Sequence, residues 1–361
     1  MKILHAADLH LDSPFDGLSA AESAIRRSEQ RDLLARIAEL AQSERVDVVL
    51  LAGDLFDSVA SFYQTHETLL RAFESMDAQI FIAPGNHDYY CPKSPYAHVK
   101  FPENVHIFKS ETIERVDLPH LNASIYGAGF TAPSSPPLLR GFIADDADSL
   151  NIMVLHGDTS GDVYNHVSEA DVASSGLDYL ALGHVHTFSG ILKAGKTRYA
   201  YSGCAEGRGF DETGKMGVII GEITKSVCDL RFVPLGGREY VITSLDLTGA
   251  TDALAAISAA TMSVSTRDTV RIILSGAYDG RVNTRELEKQ LSERFFRVQV
   301  RDNTRPVRDV WDGANEDTLR GAFLREMRTR YDAADGGGKT HVLLAVRFGL
   351  SALDSGEEYA V

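Results

Sequence analysis

The chain has 361 residues, 44% hydrophobic and 24% charged, with 51 acidic against 36 basic side chains and a formal net charge of −15. That length favours two domains over one core, and there is no run of about 18 apolar residues to span a membrane. Asp8 and His10 interrupt the first apolar stretch, which argues against a signal peptide, and Cys91, Cys204 and Cys228 lack Cys-x-x-Cys spacing and read as reduced thiols of a cytoplasmic protein.

In chain order, residues 2–7 read as a buried strand that runs straight into Asp8-Leu9-His10. A long amphipathic helix follows over about residues 20–42, with Ile25, Leu33, Leu34, Ile37, Leu40 and Ala41 at helical spacing. Residues 46–52 are almost wholly apolar, as in a strand covered on both faces, and lead into Gly53-Asp54-Leu55-Phe56-Asp57. A helix at 64–75 and a strand at 79–83 bring the chain to Gly85-Asn86-His87-Asp88. Loops rich in Pro and Ser at 91–95 and 132–137 separate this half from strands at 124–129 and 151–156. The second of these ends in His156-Gly157-Asp158, and the strand at 179–183 ends in Gly183-His184-Val185-His186. Strands at 198–202, 217–222 and 228–233 complete an alternating α/β region.

Pro234-Leu235-Gly236-Gly237 reads as a domain boundary. The expected domains are 1–235 and a smaller α/β domain at 240–361. The latter reads as strand 240–246, helix 252–259, strand 269–274, helix 284–292 and strand 296–302. A helix at 317–331 is expected to end at Gly336-Gly337-Gly338, with a final helix at 340–353. Charge is unevenly divided: residues 238–361 hold 17 basic and 19 acidic side chains, leaving a net of −13 for residues 1–237. Within 281–308, eight basic residues (Arg281, Arg285, Lys289, Arg294, Arg297, Arg301, Arg305 and Arg308) face four acidic ones. This reads equally as a solvated face or as a patch that tracks phosphates.

Asp-x-His, Gly-Asn-His-Asp and Gly-His-x-His are each weak signals alone; all five motifs, in order and each at a strand exit, are not chance. They gather histidines, carboxylates and one asparagine, a mixed oxygen and nitrogen set suited to two divalent metals that share a carboxylate. Asp54, in the central motif, is the candidate bridge. Asp8, His10 and His186 are candidates for the first metal, and Asn86, His156 and His184 for the second. On an extended backbone, His184 and His186 would point the same way and reach different metals of a close pair. His87 is the candidate catalytic residue, a protonated imidazole to neutralise the transition state or to protonate the leaving alkoxide, with Asp88 expected to orient and charge it. Asp57 and Asp158 read equally as supports for the ligands or as turn caps. Tyr89 and Tyr90 read as loop packing, with base stacking the alternative. The remaining histidines, His5, His66, His98, His106, His120, His166 and His341, read as structural.

The motif set, with Asp8-Leu9-His10 and the run Asp178-Tyr179-Leu180-Ala181-Leu182-Gly183-His184-Val185-His186, resembles the SbcD-type DNA-repair nuclease branch of the calcineurin-like metallophosphoesterases. The run from Tyr201 through Cys204-Ala205-Glu206-Gly207-Arg208-Gly209-Phe210-Asp211-Glu212 to Gly214 resembles its YhaO-like bacterial subgroup. The resemblance covers residues 1–235; beyond 240 it rests on a small α/β cap and a helical tail. It implies a four-layer α/β/β/α sandwich, manganese as the usual metal (iron and zinc also suit the donors) and cleavage of DNA phosphodiester bonds by a metal-activated hydroxide. It also implies an SbcC-like coiled-coil ATPase as partner, with a homodimer left open. Many nucleases of this branch carry a second histidine shortly after the bridging aspartate, where this chain has Asp57 after Phe56. The alternative expectation keeps the metals and exchanges DNA for a small nucleotide-like phosphodiester or phosphomonoester.

Overall fold

The computed structural model describes residues 1–353 except 147 and 308. Arg308, counted in the basic stretch, and the last eight residues lie outside the described set.

The elements in chain order are β1 (Lys2–Ala6), α1 (Ala20–Ser43), β2 (Val48–Leu51), α2 (Tyr63–Glu74), β3 (Gln79–Ile82), α3 (Pro95–His98), β4 (Val105–Ile107), β5 (Glu114–Leu118), β6 (Ala123–Gly127), β7 (Leu150–His156), α4 (Glu169–Ser174), β8 (Tyr179–Gly183), β9 (Leu192–Ala194), β10 (Thr197–Tyr201), β11 (Gly217–Ile223) and β12 (Cys228–Pro234). A second compact unit begins at Val241 and holds most of β13 (Tyr240–Asp246), then α5 (Ala253–Ala260), β14 (Thr269–Ser275), α6 (Thr284–Leu291), β15 (Arg297–Asp302), α7 (Leu319–Ala333) and α8 (Gly336–Leu353).

In the first unit two six-stranded sheets form, in the orders β12-β11-β1-β2-β3-β4 and β5-β6-β7-β8-β10-β9. The strand period of two explains the layering. In β1, Leu4 joins Leu33, Leu34 and Ile37 of α1 and Leu69 and Phe73 of α2 in an outer core. Its neighbour Ile3 joins Leu50, Phe81, Ile125, Ile152, Val154 and Tyr179 in a core drawn from both sheets. The far face of the second sheet, through Met153, Leu155, Leu180 and Leu182, is covered by Val172 of α4 and by loop residues Leu139 and Val167. The result is the expected α/β/β/α sandwich, its fourth layer reduced to one short helix and loops. β1, β2, β3 and β4 run parallel, as do β6, β7, β8 and β10. Parallel strands put their carboxyl ends, and the loops that follow, on one side of the sheet.

In the second unit, β13, β14 and β15 form a sheet whose buried face, Val270, Ile272, Leu274, Val298 and Val300, packs on Ile257 of α5 and on Leu287 and Leu291 of α6. α7 and α8 share a small core of Leu324, Met327, Val346 and Leu350. The three glycines expected to end a helix instead begin α8, because the Asp335 carboxylate accepts the Gly338 N–H at 2.8 Å and caps the first turn. The basic stretch is not one free face: Arg294 donates to the Thr261 carbonyl at 2.6 Å and is tied to the end of α5. Among the described residues no helix is long and apolar enough to cross a membrane.

Candidate metal centre

Five strand exits, three from one sheet and two from the other, deliver the motif residues to one place. Asp8 and His10 follow β1, Asp54 follows β2, Asn86 and His87 follow β3, His156 closes β7, and His184 and His186 follow β8. The backbone there is unusual. Asp8, His10, Asp54 and His184 have φ of 53°, 42°, 51° and 105°, a region that costs a non-glycine residue about 1–3 kcal/mol. Loop-to-loop bonds hold the first three in place: Asp8 N–H donates to Gly53 O at 3.0 Å, and His10 N–H to Asp54 O at 2.9 Å. Gly53 has φ of 85°, and a Cβ there would sit 2.5 Å from His156 Nδ1; a Cβ on Gly85 would sit 2.2 Å from Asp54 Oδ1. Neither motif glycine can be enlarged without moving a candidate ligand.

The side chains converge in two overlapping groups. In the first, His10 Nε2 is 3.2 Å from His186 Nε2, and His186 Nε2 is 3.9 Å from Asp8 Oδ1. In the second, His156 Nε2 is 2.9 Å from Asn86 Oδ1, and His184 Nδ1 is 3.2 Å from the same oxygen. Asp54 Oδ2 lies between them, 3.7 Å from His10 Nε2 and 3.5 Å from His156 Nε2. Asp8, His10, Asp54 and His156 are fully or almost fully buried. His184 and His186 reach separate groups, but not by strand alternation: β8 has ended at Gly183, and the left-handed turn at His184 separates the rings.

Proton placement tests whether these residues fit cations. His186 Nδ1 lies 2.7 Å from Glu212 Oε1, so its proton sits there and Nε2 carries a lone pair. His10 Nδ1 stands 3.2 Å from Asp57 Oδ1, out of line for an aligned bond but enough to draw the ring proton to that side. The two Nε2 lone pairs therefore face each other at 3.2 Å, an arrangement a bound cation relieves. His156 repeats the pattern: Nδ1 donates to Ala52 O at 2.9 Å, leaving Nε2 to face Asn86 Oδ1 and Asp54. Buried carboxylates and unprotonated imidazoles fit borderline divalent metals.

The titration behaviour of Asp8, Asp54 and His184 agrees. Burial raises the Asp8 carboxyl, only partly offset by His156 and His186, so it lacks counter-charge. For Asp54 burial also acts upward, but His156, His10 and His87 outweigh it and lower the carboxyl. Burial depresses His184 to about 4, keeping the ring neutral as a ligand must be. Burial depresses His186 too, yet its bond to Glu212 and the nearby Asp8 carboxylate leave it raised.

His87 is exposed beside the buried group, its ring 4.8 Å from that of His10 and edge-on to it. Its Nδ1 pairs with the Asp57 carbonyl at 3.0 Å, and its N–H donates to Asp54 Oδ1 at 2.9 Å. The expectation that Asp88 orients His87 is corrected. Asp88 is fully buried and accepts from Gly85 N–H, Phe56 N–H and the Tyr96 hydroxyl, so it fastens the loops together. Asp57 acts as a support, accepting from Arg208 at 2.9 Å and from Ser13 at 3.2 Å. Asp158 caps a turn at Ser160 and comes within 4.0 Å of His184 Nε2. Several supports carried no sequence assignment. Glu212 backs His186, Gln30 holds His10 O at 2.8 Å, Asn165 holds His156 O at 2.7 Å, and Tyr201 holds Gly157 O at 2.9 Å. Glu212 and Tyr201 had a signal, their place in the run from Tyr201 to Gly214.

The calcineurin-like phosphoesterase sequence profile matches residues 1–188. Among individual proteins, the chain is 32% identical over 246 residues to the uncharacterized metallophosphoesterase YhaO of Bacillus subtilis (strain 168), covering 64% of this chain and 60% of that protein. It is 25% identical over 258 residues to the SbcD component of nuclease SbcCD from the same organism, covering 59% of this chain and 64% of that one. To the DNA double-strand break repair protein Mre11 of Aeropyrum pernix it is 29% identical over 223 residues, covering 56% and 53%. The chain thus spans less than two thirds of the length of each of these relatives. A profile match over more than half the chain, on a sandwich whose strand exits converge on a histidine and carboxylate cluster, makes this chain a member of the calcineurin-like phosphoesterase family.

Proposed function

We propose that the chain is a metal-dependent DNA nuclease, exo- or endonucleolytic, that hydrolyses phosphodiester bonds at this centre and works in the cytoplasm with an SbcC-like coiled-coil ATPase. The observation that carries the reading is the paired arrangement of lone-pair nitrogens and carboxylates around Asp54, joined by an exposed His87 at the rim. The nuclease SbcCD and Mre11 relatives support DNA as substrate. Asp8, His10 and His186 would hold one metal, Asn86, His156 and His184 the other, and Asp54 both; manganese is the preferred ion, with iron or zinc compatible. When bound, the metals supply an activated water nucleophile and stabilise charge on the phosphoryl oxygens. Glu212 and the Ala52 carbonyl fix the tautomers of His186 and His156, so that Nε2 is the donor atom in each. His87, as the imidazolium, protonates the departing alkoxide, with Nδ1 anchored on Asp57 O. Residues 1–235 form the nuclease domain in this reading, and 240–361 an α/β domain that guides the nucleic-acid backbone.

The test is incubation of the purified chain with manganese and either labelled linear DNA or bis-p-nitrophenyl phosphate, with His184→Ala as control. Cleavage of both, lost in the variant, supports the reading. Turnover of the small ester alone, with and without the ATPase, replaces DNA by a small nucleotide-like phosphodiester.

A further inference from the structure

The side of the centre that carries His10 and His186 is backed by a network with one cation at its middle. Arg208 donates from Nη1 to Asp57 Oδ1 at 2.9 Å and from Nη2 to Glu212 Oε1 at 2.9 Å. Each carboxylate stands behind one imidazole: Asp57 Oδ1 is 3.2 Å from His10 Nδ1, and Glu212 Oε1 is 2.7 Å from His186 Nδ1. The second oxygen of Glu212 accepts the Arg208 backbone N–H at 2.7 Å and closes the ring of contacts. Glu212 is buried, while Arg208 and Asp57 are partly exposed.

We propose that Arg208 is a positioning residue: by binding Asp57 and Glu212 in one fork it holds the His10 and His186 rings Nε2 to Nε2 and so builds the metal position they share with Asp8. Without it, two negative groups would stand behind the rings with no cation between them, and their repulsion would turn the imidazoles out of register. A guanidinium offers two rigidly spaced donors, where a lysine ammonium is a point charge on a flexible stem. Each terminal nitrogen donates to one of the two carboxylates, so the guanidinium braces both metal-ligand rings from behind. The role rests on the metal assignment above and is independent of DNA as the substrate.

The test is titration of the metal-free full-length chain with manganese, read by calorimetry and by the electron paramagnetic resonance of the coupled ion pair. Wild type takes up two equivalents. Arg208→Ala is expected to bind one of them 10- to 100-fold more weakly, roughly the range for loss of a group that supports a ligand, while the other keeps its affinity and the coupled spectrum gives way to that of an isolated ion. Arg208→Lys falls between the two, and methylguanidine added to Arg208→Ala restores the lost affinity. Glu212→Gln weakens the same equivalent and adds little in the double variant, because both changes break one unit. Two wild-type affinities in Arg208→Ala overturn the role. So does equal weakening of both equivalents together with a lowered melting temperature in EDTA, which marks a general structural part. A wild-type chain that binds no manganese overturns the metal assignment and the role of Arg208 with it; absence of DNA cleavage alone touches neither.

Discussion

His156 turns its Nε2 to within 2.9 Å of Asn86 Oδ1 while its Nδ1 is bound to the Ala52 carbonyl, so one ring ties the end of β7 in the second sheet to the loops after β2 and β3 in the first. The contact brings acceptor to acceptor and makes sense around a cation. His156→Ala is therefore expected to lose one of two metal equivalents and to slow hydrolysis of bis-p-nitrophenyl phosphate by at least about 100-fold, since two-metal chemistry needs both ions. Metal analysis of the dialysed variant beside its rate constant checks this; two retained equivalents would remove His156 from the ligand set.

His87 should separate metal binding from chemistry. It is exposed and fastened through Nδ1 to a backbone carbonyl. His87→Gln is expected to keep both metals and to lose about 10²- to 10⁴-fold in kcat, the usual worth of a positioned acid. The loss should shrink with p-nitrophenolate esters, whose leaving group needs no proton. Loss of a metal equivalent instead would make His87 a ligand, as its nearness to His10 and Asp54 allows.

His5 predicts how stability follows pH. It is fully buried between the sheets, its Nδ1 2.9 Å from the Tyr179 hydroxyl and its Nε2 3.1 Å from Leu182 O, a pattern that suits the neutral ring. Burial lowers it to about 3, against a partial rise from the Leu182 carbonyl. Above about pH 6.5 the ring is neutral in both folded and unfolded chains and pH has no leverage through it. Below that, the unfolded chain takes up a proton that the folded one refuses. Stability then falls by about 1.4 kcal/mol per pH unit down towards the folded value. Urea unfolding of the EDTA-treated protein between about pH 7.5 and 5, a window that starts above the unfolded value, should show a shallower acid limb for His5→Gln than for wild type; parallel limbs would refute it.

Arg26 is a completely buried charge in the first unit, bonded to Glu29, to Glu206 at 2.6 Å and to Gly207 O at 2.8 Å. Glu206, itself buried, would keep only the partly exposed Arg36 if Arg26 were removed. Arg26→Met is expected to cost about 3 kcal/mol, since it leaves a buried carboxylate poorly paired. The double variant Arg26→Met/Glu206→Gln should recover part of that. Denaturant midpoints check both, and an unchanged midpoint in the single variant would show the pair to be dispensable.

α1 shows where sequence periodicity succeeded and where it misled. Leu33, Leu34 and Ile37 enter the core as the spacing requires, but Ile25 of the same stripe is 47% exposed while Arg26 and Gln30 are buried. Their partners, Glu206 and the His10 carbonyl, come from distant parts of the chain, and no local pattern could announce them. β4 and β5 escaped notice for another reason. They are short edge strands with mixed residues, and a strand paired on one side only does not need a continuous apolar run.

What the sequence determined by itself is the order of the motif-bearing strands and the list of candidate ligands that meet at their ends. Each motif directly follows a buried apolar strand, and parallel strands must carry their carboxyl ends to one side. What only the tertiary structure decided is orientation. The left-handed turns at Asp8, His10, Asp54 and His184 aim the candidate ligands, and the Glu212, Arg208 and Asp57 contacts settle which imidazole nitrogen faces the centre. Such contacts join residues up to 151 positions apart in the chain and act over less than about 4 Å, so they come into being only once the chain has folded.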